Sequence, residues 1–551
     1  MVAGEGLVDL VTTPVRRRRY AEIGAWNDET LPGRVVHHAA VRPDAIAVID
    51  ENRSVTFAEL AVDAARLGDA LGAWSVGEGS VVSVQLPNRY EAVVAAVAAL
   101  SMGAVVNPLL PNYRERELGH VFRTAAPAVV FTPGEHRGCH HPALIAEVAA
   151  QTGVEPLNVV VDGEAPGRAI AYESLLVSGR PDAVLGDRAA AAVSELIFTS
   201  GTEATPKAIM HTEQTTGFSV RAAAADLGLT DADVVWMPSP VGHSTGFNYG
   251  LRFALHHGLP LVLQDRWDAA TALSMVQRHR CSYTLAATTF LQDLTEEATS
   301  AAVRLDSLRL FGCGGAPVPA ALVDAAASVG IQVLRLYGST EVLVGTWNRP
   351  WTIPEHKRGS DGTAITGIEL RVVDDDGHAV PLGEPGELEV RGPDTCVGFF
   401  ADPERTAATF HPNGWVRSGD LVTLDEDGYL TVVGRKKEII IRGGINIAPR
   451  EIEELLMEFP EVERAAVIAL PDPRLGERTC ACVVLRPRAT LDFATMCDRL
   501  DRAGLARFKR PERLEVLDAL PVTASGKIQK HELIKALSGT GGTGDAGGGG
   551  G

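Results

Sequence analysis

No G-x-x-x-x-G-K-[ST] segment occurs in the 551 residues, and no G-x-G-x-x-G opens a helix after a strand, so the two commonest glycine-rich phosphate cradles are excluded. Positive charge is also scarce: 51 Lys plus Arg stand against 70 Asp plus Glu, a net charge of -19. That balance favours solubility and argues against a nucleic acid or an anionic membrane as partner, so any anionic ligand has to be held by local donors. Cysteine is sparse, with seven residues scattered at 139, 281, 313, 396, 480, 482 and 497. An odd, unpatterned set fits a reducing cytoplasm, not a disulfide framework. His136, His140 and His141 flank Cys139, but no second ligand pair stands at a structural-zinc spacing, and the cluster reads as a surface loop. Long apolar runs are missing too. The most apolar stretch, residues 92–106, is short, rich in alanine and closed by Asn107-Pro108, which predicts a buried helix and then a strand, not a membrane span. Arg16 to Arg19 are followed by no apolar segment, so no secretory signal is read there, and the four arginines are expected on an exposed helix face.

What the chain does offer is the stretch Leu196 to Thr212, Leu-Ile-Phe-Thr-Ser-Gly-Thr-Glu-Ala-Thr-Pro-Lys-Ala-Ile-Met-His-Thr. Leu196, Ile197 and Phe198 predict a buried strand, which stops at Thr199, Ser200, Gly201 and Thr202. A loop of hydroxyls and backbone N–H groups follows, with the cation Lys207 at its far end. Glycine lets amides turn inward around an anion, hydroxyls add donors and lysine adds a point charge, so the stretch suits a polyphosphate. Read alone, it suits equally well a polar loop that ends a strand.

At this length more than one core is expected. Apolar runs at 46–49, 81–86 and 129–131 alternate with helical stretches at 56–71 and 89–99, and the pattern resumes at 234–237, 261–263, 308–311 and 333–336. Interleaved helices and buried strands imply crossover units, a mostly parallel sheet and a large α/β body. Past residue 360, Ile368 to Val373, Glu387 to Arg391 and Leu421 to Val433 read as antiparallel strands with Asp-Gly turns. From Arg435 a further compact unit follows, with a strand at 439–441 and a helix opening at Pro449 with Glu451, Glu453 and Glu454 near its N-terminus. Residues 538–551 are almost all Gly, Thr and Ser and are expected to be disordered.

Five separate elements in order resemble the adenylate-forming superfamily of acyl-CoA synthetases, aryl-acid ligases, luciferases and adenylation domains. They are Thr199 to Lys207, Tyr337-Gly-Ser-Thr-Glu341, Ser418-Gly-Asp420, Gly434 to Asn446 (Gly-Arg-Lys-Lys-Glu-Ile-Ile-Ile-Arg-Gly-Gly-Ile-Asn) and Ala524-Ser-Gly-Lys527. Met237 to Gly246 and Gly312-Cys-Gly-Gly-Ala316 look like the medium-chain and cyclohexanecarboxylate type of acyl-CoA ligase. The resemblance implies an N-terminal adenylate-forming body of layered sheets and helices with a β-rich subdomain (residues 1–434), a small mobile α+β lid (435–537) and the tail (538–551).

The activity it implies is attack of a carboxylate on the α-phosphorus of ATP, then of a thiol on the acyl adenylate. Both partners of the first step are anions, so charge has to be neutralised at the transition state. By the same resemblance Lys527 bridges the carboxylate and the α-phosphate, and Lys207 with Thr199, Ser200, Gly201 and Thr202 holds the β- and γ-phosphates. Glu341 ligates Mg2+, Thr340 donates to the α-phosphate from the Tyr337-Gly338-Ser339 strand end, and Asp420 takes the ribose hydroxyls with Arg435 close by. Gly314, Gly315 and Ala316 lie flat on the adenine. His243 and Phe247 border the acid pocket, whose floor falls near Phe247, Thr288, Thr289, Gly338 and Leu343. Lys436 is the hinge, and Gly443 and Gly444 line the pantetheine tunnel of coenzyme A. A cytoplasmic homodimer acting on a small carboxylic acid is the implied setting.

The chain departs from the family pattern at Ala204 and Ala208, where glycine is usual, and at Ala448, where a helix-capping serine is usual. The segment Val342 to Trp351 is bulkier than the family's. These departures bear on the acid and on the second nucleophile. Transfer to a carrier-protein thiol, or diazotisation of an aryl amine with activated nitrite, are the alternatives to an acid–CoA ligase. A third alternative, a nucleotide sensor without catalysis, is disfavoured by the joint presence of Lys207, Glu341, Asp420, Arg435 and Lys527.

Overall fold

The computed structural model describes residues 11–199, 206–442, 445–523 and 527–538. The chain divides into two units, one made of residues 1–384, 388–418 and 424–431, the other of 385–387, 419–423 and 432–551.

Two large sheets build the first unit. Its seven-stranded sheet has a parallel centre of Val105–Pro108, Val81–Val84, Val129–Pro133 and Leu157–Val161, four or five residues each and buried almost throughout. Strands buried on both faces read as continuous Val-rich runs, which is why their positions are legible in the sequence. The chain then adds an antiparallel hairpin at one edge, Val193–Thr199 with Lys207–Thr212. The nine-stranded sheet repeats this plan: Val235–Met237, Leu261–Leu263, Tyr283–Ala286, Leu310–Gly314 and Val333–Ser339 run parallel, and Leu343–Trp347 turns back antiparallel on the last of them. Each sheet thus carries a hairpin, and the tips of these two hairpins hold Thr199 with Lys207 and Glu341, three of the expected site residues.

Residues 92–106 form, as expected, a helix (Tyr90–Ser101) and a strand (Val105–Pro108), and no described helix is long and apolar enough to cross a membrane. Two expectations are corrected. Arg16 sits in the helix Pro14–Glu22 but is 8% exposed; its guanidinium lies by the rings of Tyr20 and Trp26 and donates to the carbonyl of Gly392 (2.9 Å) and to the Thr395 hydroxyl. The aromatic neighbours and carbonyl partners make burial of that one arginine tolerable. The histidine cluster is likewise not a surface loop: His136 and His141 are buried, and His141 reaches the carbonyls of Pro111 (3.0 Å) and Cys139 (3.1 Å). Among the described residues the one group with metal-ligand spacing is Asp374, Asp376 and His378, all exposed, and not this cluster.

After residue 360 come the strands Glu369–Val373, Gly386–Arg391, Val416–Leu424 and Leu430–Arg435. In the second unit Val462–Asp472 and Gly476–Leu485 form a long antiparallel ribbon. Alternation splits it into two faces. Ala465, Val467, Ala481 and Val483 pack with Ile452, Leu456, Met496 and Leu500 of the helices Pro449–Met457 and Phe493–Arg502. Ala466, Ile468, Cys480 and Cys482 pack instead with Leu520 and with Leu533 of the helix Lys530–Ser538. No side chain caps the helix at Ala448. Ser538, read as the start of the tail, closes that last helix, and residues 539–551 lie outside the described residues.

Candidate functional site

Thr199 ends its strand paired with Lys207, so the two residues that flank the expected phosphate loop stand side by side at the hairpin tip. Ser200, Gly201, Thr202 and Ala204 lie outside the described residues. Lys207 is half-buried; its Nζ lies 3.6 Å from Glu341 Oε1 and 5.6 Å from the centre of the Phe399 ring. A cation suited to phosphate and a hard carboxylate suited to a divalent metal are therefore brought together across about 130 residues of sequence.

Glu341 owes its place to a tight turn. Val333–Ser339 and Leu343–Trp347 are joined through Thr340, Glu341 and Val342, with an irregularity in register between Tyr337 and Gly338 and with Leu343 left-handed at φ 50°. A Cβ on Gly338 would lie 2.2 Å from the Leu343 carbonyl oxygen, so only glycine fits that crossing. Tyr337 N donates to Thr346 Oγ1 (3.2 Å), and Ser339 pairs with Leu343. The Thr340 carbonyl accepts from His211 Nε2 (2.7 Å), and the Glu341 carbonyl accepts from Cys396 N (2.8 Å).

His211 was not singled out from the sequence. It is fully buried, and burial pushes its pKa down to about 4, so the ring is neutral. The available signal was periodicity: Lys207, Ile209 and His211 share one face of the strand, while Ala208 and Met210 join the apolar core on the other. Opposite His211 stands Glu195, the root of a second unexpected group. Arg252, 0% exposed, pairs with Glu195 (3.4 Å) and Glu213 (2.8 Å), while Asn248 bonds both Glu195 (2.7 Å) and Arg252 (3.1 Å). One buried cation faces two carboxylates here, and burial pushes Glu195 up to about 7. Asn248 and Arg252 belong to a π-helical stretch, Phe247–Arg252, so this network ties the root of the Lys207 hairpin to the segment after His243.

His243 itself caps the short helix Ser244–Gly246, its Nδ1 accepting from Thr245 N (3.3 Å). The preceding loop is held tightly. Asn88 donates to the carbonyls of Met237 (3.1 Å) and Ser239 (2.9 Å) and accepts from Val241 N (2.7 Å), and a Cβ on Gly242 would lie 2.2 Å from the Leu109 carbonyl. Phe247 and Leu343 are each 2% exposed. Between them in the network stands Tyr249, another residue missed from the sequence: its hydroxyl accepts from Val344 N (2.7 Å) and shares a hydrogen bond with Ser219 (2.7 Å).

Gly314 ends its strand beside Leu336, where a Cβ would lie 2.4 Å from the Leu336 carbonyl oxygen; Gly315, at φ 78°, and Ala316 are exposed beyond it. Small residues there leave a bare backbone edge, a surface that a flat ring can lie against. Thr288 steadies the loop by donating to the Pro317 carbonyl (3.0 Å), and Thr289 follows in the same helix.

The remaining candidates belong to the second unit. Asp420, 5% exposed, meets Arg435 Nε at 3.0 Å, so these two are brought together as the resemblance implies. Lys436 is exposed and reaches Glu387 (3.0 Å). Gly443 and Gly444 lie outside the described residues, between the paired Arg442 and Ile445. Lys527 is exposed; its backbone N donates to Thr523 Oγ1 (3.1 Å). Three residues on, Lys530 is anchored to Glu453 (2.8 Å) and to Glu438 (3.0 Å) of the turn that follows Arg435.

Comparison with known proteins fits this arrangement. Residues 35–400 match the family described as AMP-binding enzyme, and residues 451–527 match the AMP-binding enzyme C-terminal domain. The chain is 37% identical over 538 residues to the medium-chain fatty-acid–CoA ligase of Escherichia coli (strain K12), covering 96% of this chain and 94% of that one. It is 32% identical over 545 residues to the salicyl-AMP ligase / salicyl-S-ArCP synthetase of Mycobacterium tuberculosis (strain ATCC 25618 / H37Rv), covering 97% and 95%. Among solved structures, the anthranilate CoA ligase AuaEII in complex with anthranoyl-AMP superposes with a TM-score of 0.86 at 25% identity, covering 94% of this chain and 98% of that one. The chain belongs to the AMP-binding, adenylate-forming enzyme family. It is an AMP-forming ligase that uses ATP to activate a small-molecule acid.

Proposed function

We propose that the protein converts a medium-chain, alicyclic or aromatic carboxylic acid to its acyl adenylate and passes the acyl group to coenzyme A. The observation that carries the reading is the 3.6 Å approach of Lys207 and Glu341 at the tips of two hairpins from different sheets. In the first step an oxygen of the acid attacks the α-phosphorus and pyrophosphate departs. Lys207 and Thr199, with the hydroxyls and amides of Ser200, Gly201 and Thr202, hold the departing phosphates, and Thr340 donates to the α-phosphate. The donor set suits Mg2+, since Glu341 offers a hard carboxylate oxygen where phosphate oxygens would gather. When bound, the ion neutralises charge on the phosphates.

Asp420, with Arg435 beside it, takes the ribose hydroxyls, and Gly314 to Ala316 give the adenine a flat edge. Lys527 serves adenylation by bridging the two anions, as a compact ammonium with three donors can. The lid, residues 435–537, turns about Lys436 for the second step, in which the thiol of coenzyme A passes Gly443 and Gly444, attacks the acyl carbonyl and expels AMP. His243 and Phe247 border the acid, and Thr289 and Leu343 lie at the pocket floor.

A second reading has one observation in its favour. The relative named salicyl-AMP ligase / salicyl-S-ArCP synthetase aligns over 97% of the chain, which supports a carrier-protein thiol as acceptor. A mass-spectrometric product screen with Mg-ATP and alkyl, alicyclic and aryl acids separates these readings. The expected result is AMP and a thioester that depend on coenzyme A. Thioester only on a carrier protein, or a diazonium product only with nitrite and an amino-substituted acid, would replace the proposal with the corresponding alternative.

A further inference from the structure

We propose that His211 is a positioning residue for the metal-binding carboxylate: its Nε2–H holds the Thr340 carbonyl and so fixes the peptide that carries Glu341. The inference rests on the reading of Glu341 as a Mg2+ ligand.

The hydrogen-bond chemistry sets the ring. A carbonyl only accepts, so the 2.7 Å contact with Thr340 O places the proton on Nε2. Nδ1 then carries a lone pair, and the group beside it is the Thr215 hydroxyl at 3.1 Å. The Thr215 hydroxyl also reaches the Thr212 carbonyl (3.0 Å), which accepts from the Thr216 hydroxyl as well (3.0 Å), so its proton has two acceptors, that carbonyl and Nδ1, while its oxygen accepts from Thr212 N (3.0 Å). The Thr340 carbonyl thus fixes the tautomer, and the cap of the helix Glu213–Leu227 stands at the other ring nitrogen of this histidine one residue before it. Such a relay is what a metal-site orienting group requires: a rotamer and a proton position that do not wander.

The turn it holds needs an anchor. Leu343, a residue with a Cβ, is left-handed at φ 50°, and the strand is irregular at Gly338, so the backbone from 338 to 343 departs from regular pairing. His211 pins the carbonyl before Glu341, and Cys396 N pins the carbonyl of Glu341 itself (2.8 Å). With both flanking peptides clamped, the remaining freedom of the carboxylate is its own side-chain rotation. The same contact joins the strand of Lys207 to the turn of Glu341, and hence couples the spacing of the ammonium and the carboxylate.

Calorimetric binding of ATP with Mg2+ and with EDTA tests this without any acid substrate. His211→Leu is expected to weaken ATP binding in Mg2+ by about tenfold or more while changing metal-free binding by less than about twofold. His211→Gln, whose amide N–H extends to the level of Nε2, is expected to keep most of the Mg2+ effect, whereas His211→Asn, whose amide stops at the level of Nδ1, loses it. Thr215→Val, which removes the partner of Nδ1, falls between them. Equal MgATP binding by His211→Leu and the parent, equal losses in the Gln and Asn variants, or a loss that is the same with and without metal overturns the proposal. If His211→Leu does not fold, the Gln and Asn pair decides. An unchanged Mg2+ effect in Glu341→Gln overturns the reading of Glu341 instead, whatever the His211 variants do.

Discussion

Glu195 shows how a single side chain beside the site makes stability depend on pH. Burial raises its pKa from 4.5 to about 7, so the folded chain holds a proton that the unfolded chain has released throughout that window. Stability contributed by this group is complete below pH 4.5 and is lost as pH rises toward 7. His38, His136 and His211, each pushed down to about 4 by burial, act in the opposite sense, since the unfolded chain binds the extra protons. The test is therefore a difference: urea unfolding of Glu195→Gln and the parent from pH 4.5 to 7 should show the variant losing less stability across the window. Parallel curves would show that Glu195 is ionised throughout. At the same scale, Lys207→Ala is expected to slow adenylation by about 10²–10³ fold, as loss of one preorganised charge at a developing anion does, and pyrophosphate release in single turnover measures it. A loss below about threefold would remove Lys207 from the phosphate site.

At the scale of elements, the two hairpins make geometry out of register. A Cβ on Gly338 would collide with the Leu343 carbonyl at 2.2 Å, so Gly338→Ala is expected to displace the Glu341 turn and to depress MgATP binding more than it depresses overall stability. Calorimetry beside urea unfolding checks this, and unaltered binding would show that the turn has room to adjust. The helix Pro449–Met457 lacks a side-chain cap at Ala448, and Ala448→Ser should raise the stability of the second unit by about 0.5–2 kcal/mol, read as a higher urea midpoint.

Elements were legible where burial is two-sided and runs are Val-rich, as in Val81–Val84 and Val129–Pro133. Leu343–Trp347 was not: it too is buried at every position, but Gly345 and Thr346 break its apolar run and leave no alternation in its place. The Thr199 and Glu341 motifs announced themselves by local chemistry. His211, Tyr249 and the Glu195–Arg252 pair did not, since each acquires its meaning from partners that only the packing of distant segments supplies. Arg16 differs from expectation for the same reason: a run of four arginines looks solvated until aromatic rings and a carbonyl partner are found beside one of them.

The whole molecule is two units with separate cores, and the proposed chemistry gives each part of the lid a different half-reaction. In the proposed reaction Lys527 would serve the first half-reaction, and Gly443 with Gly444 the second. The most direct test measures both half-reactions in two variants, Lys527→Ala and Gly444→Trp, as pyrophosphate release from ATP with the acid and as thioester formation from a supplied acyl adenylate with coenzyme A. Lys527→Ala is expected to lose the first and keep the second, and Gly444→Trp to do the reverse. Equal losses in both half-reactions for both variants would contradict this division of roles.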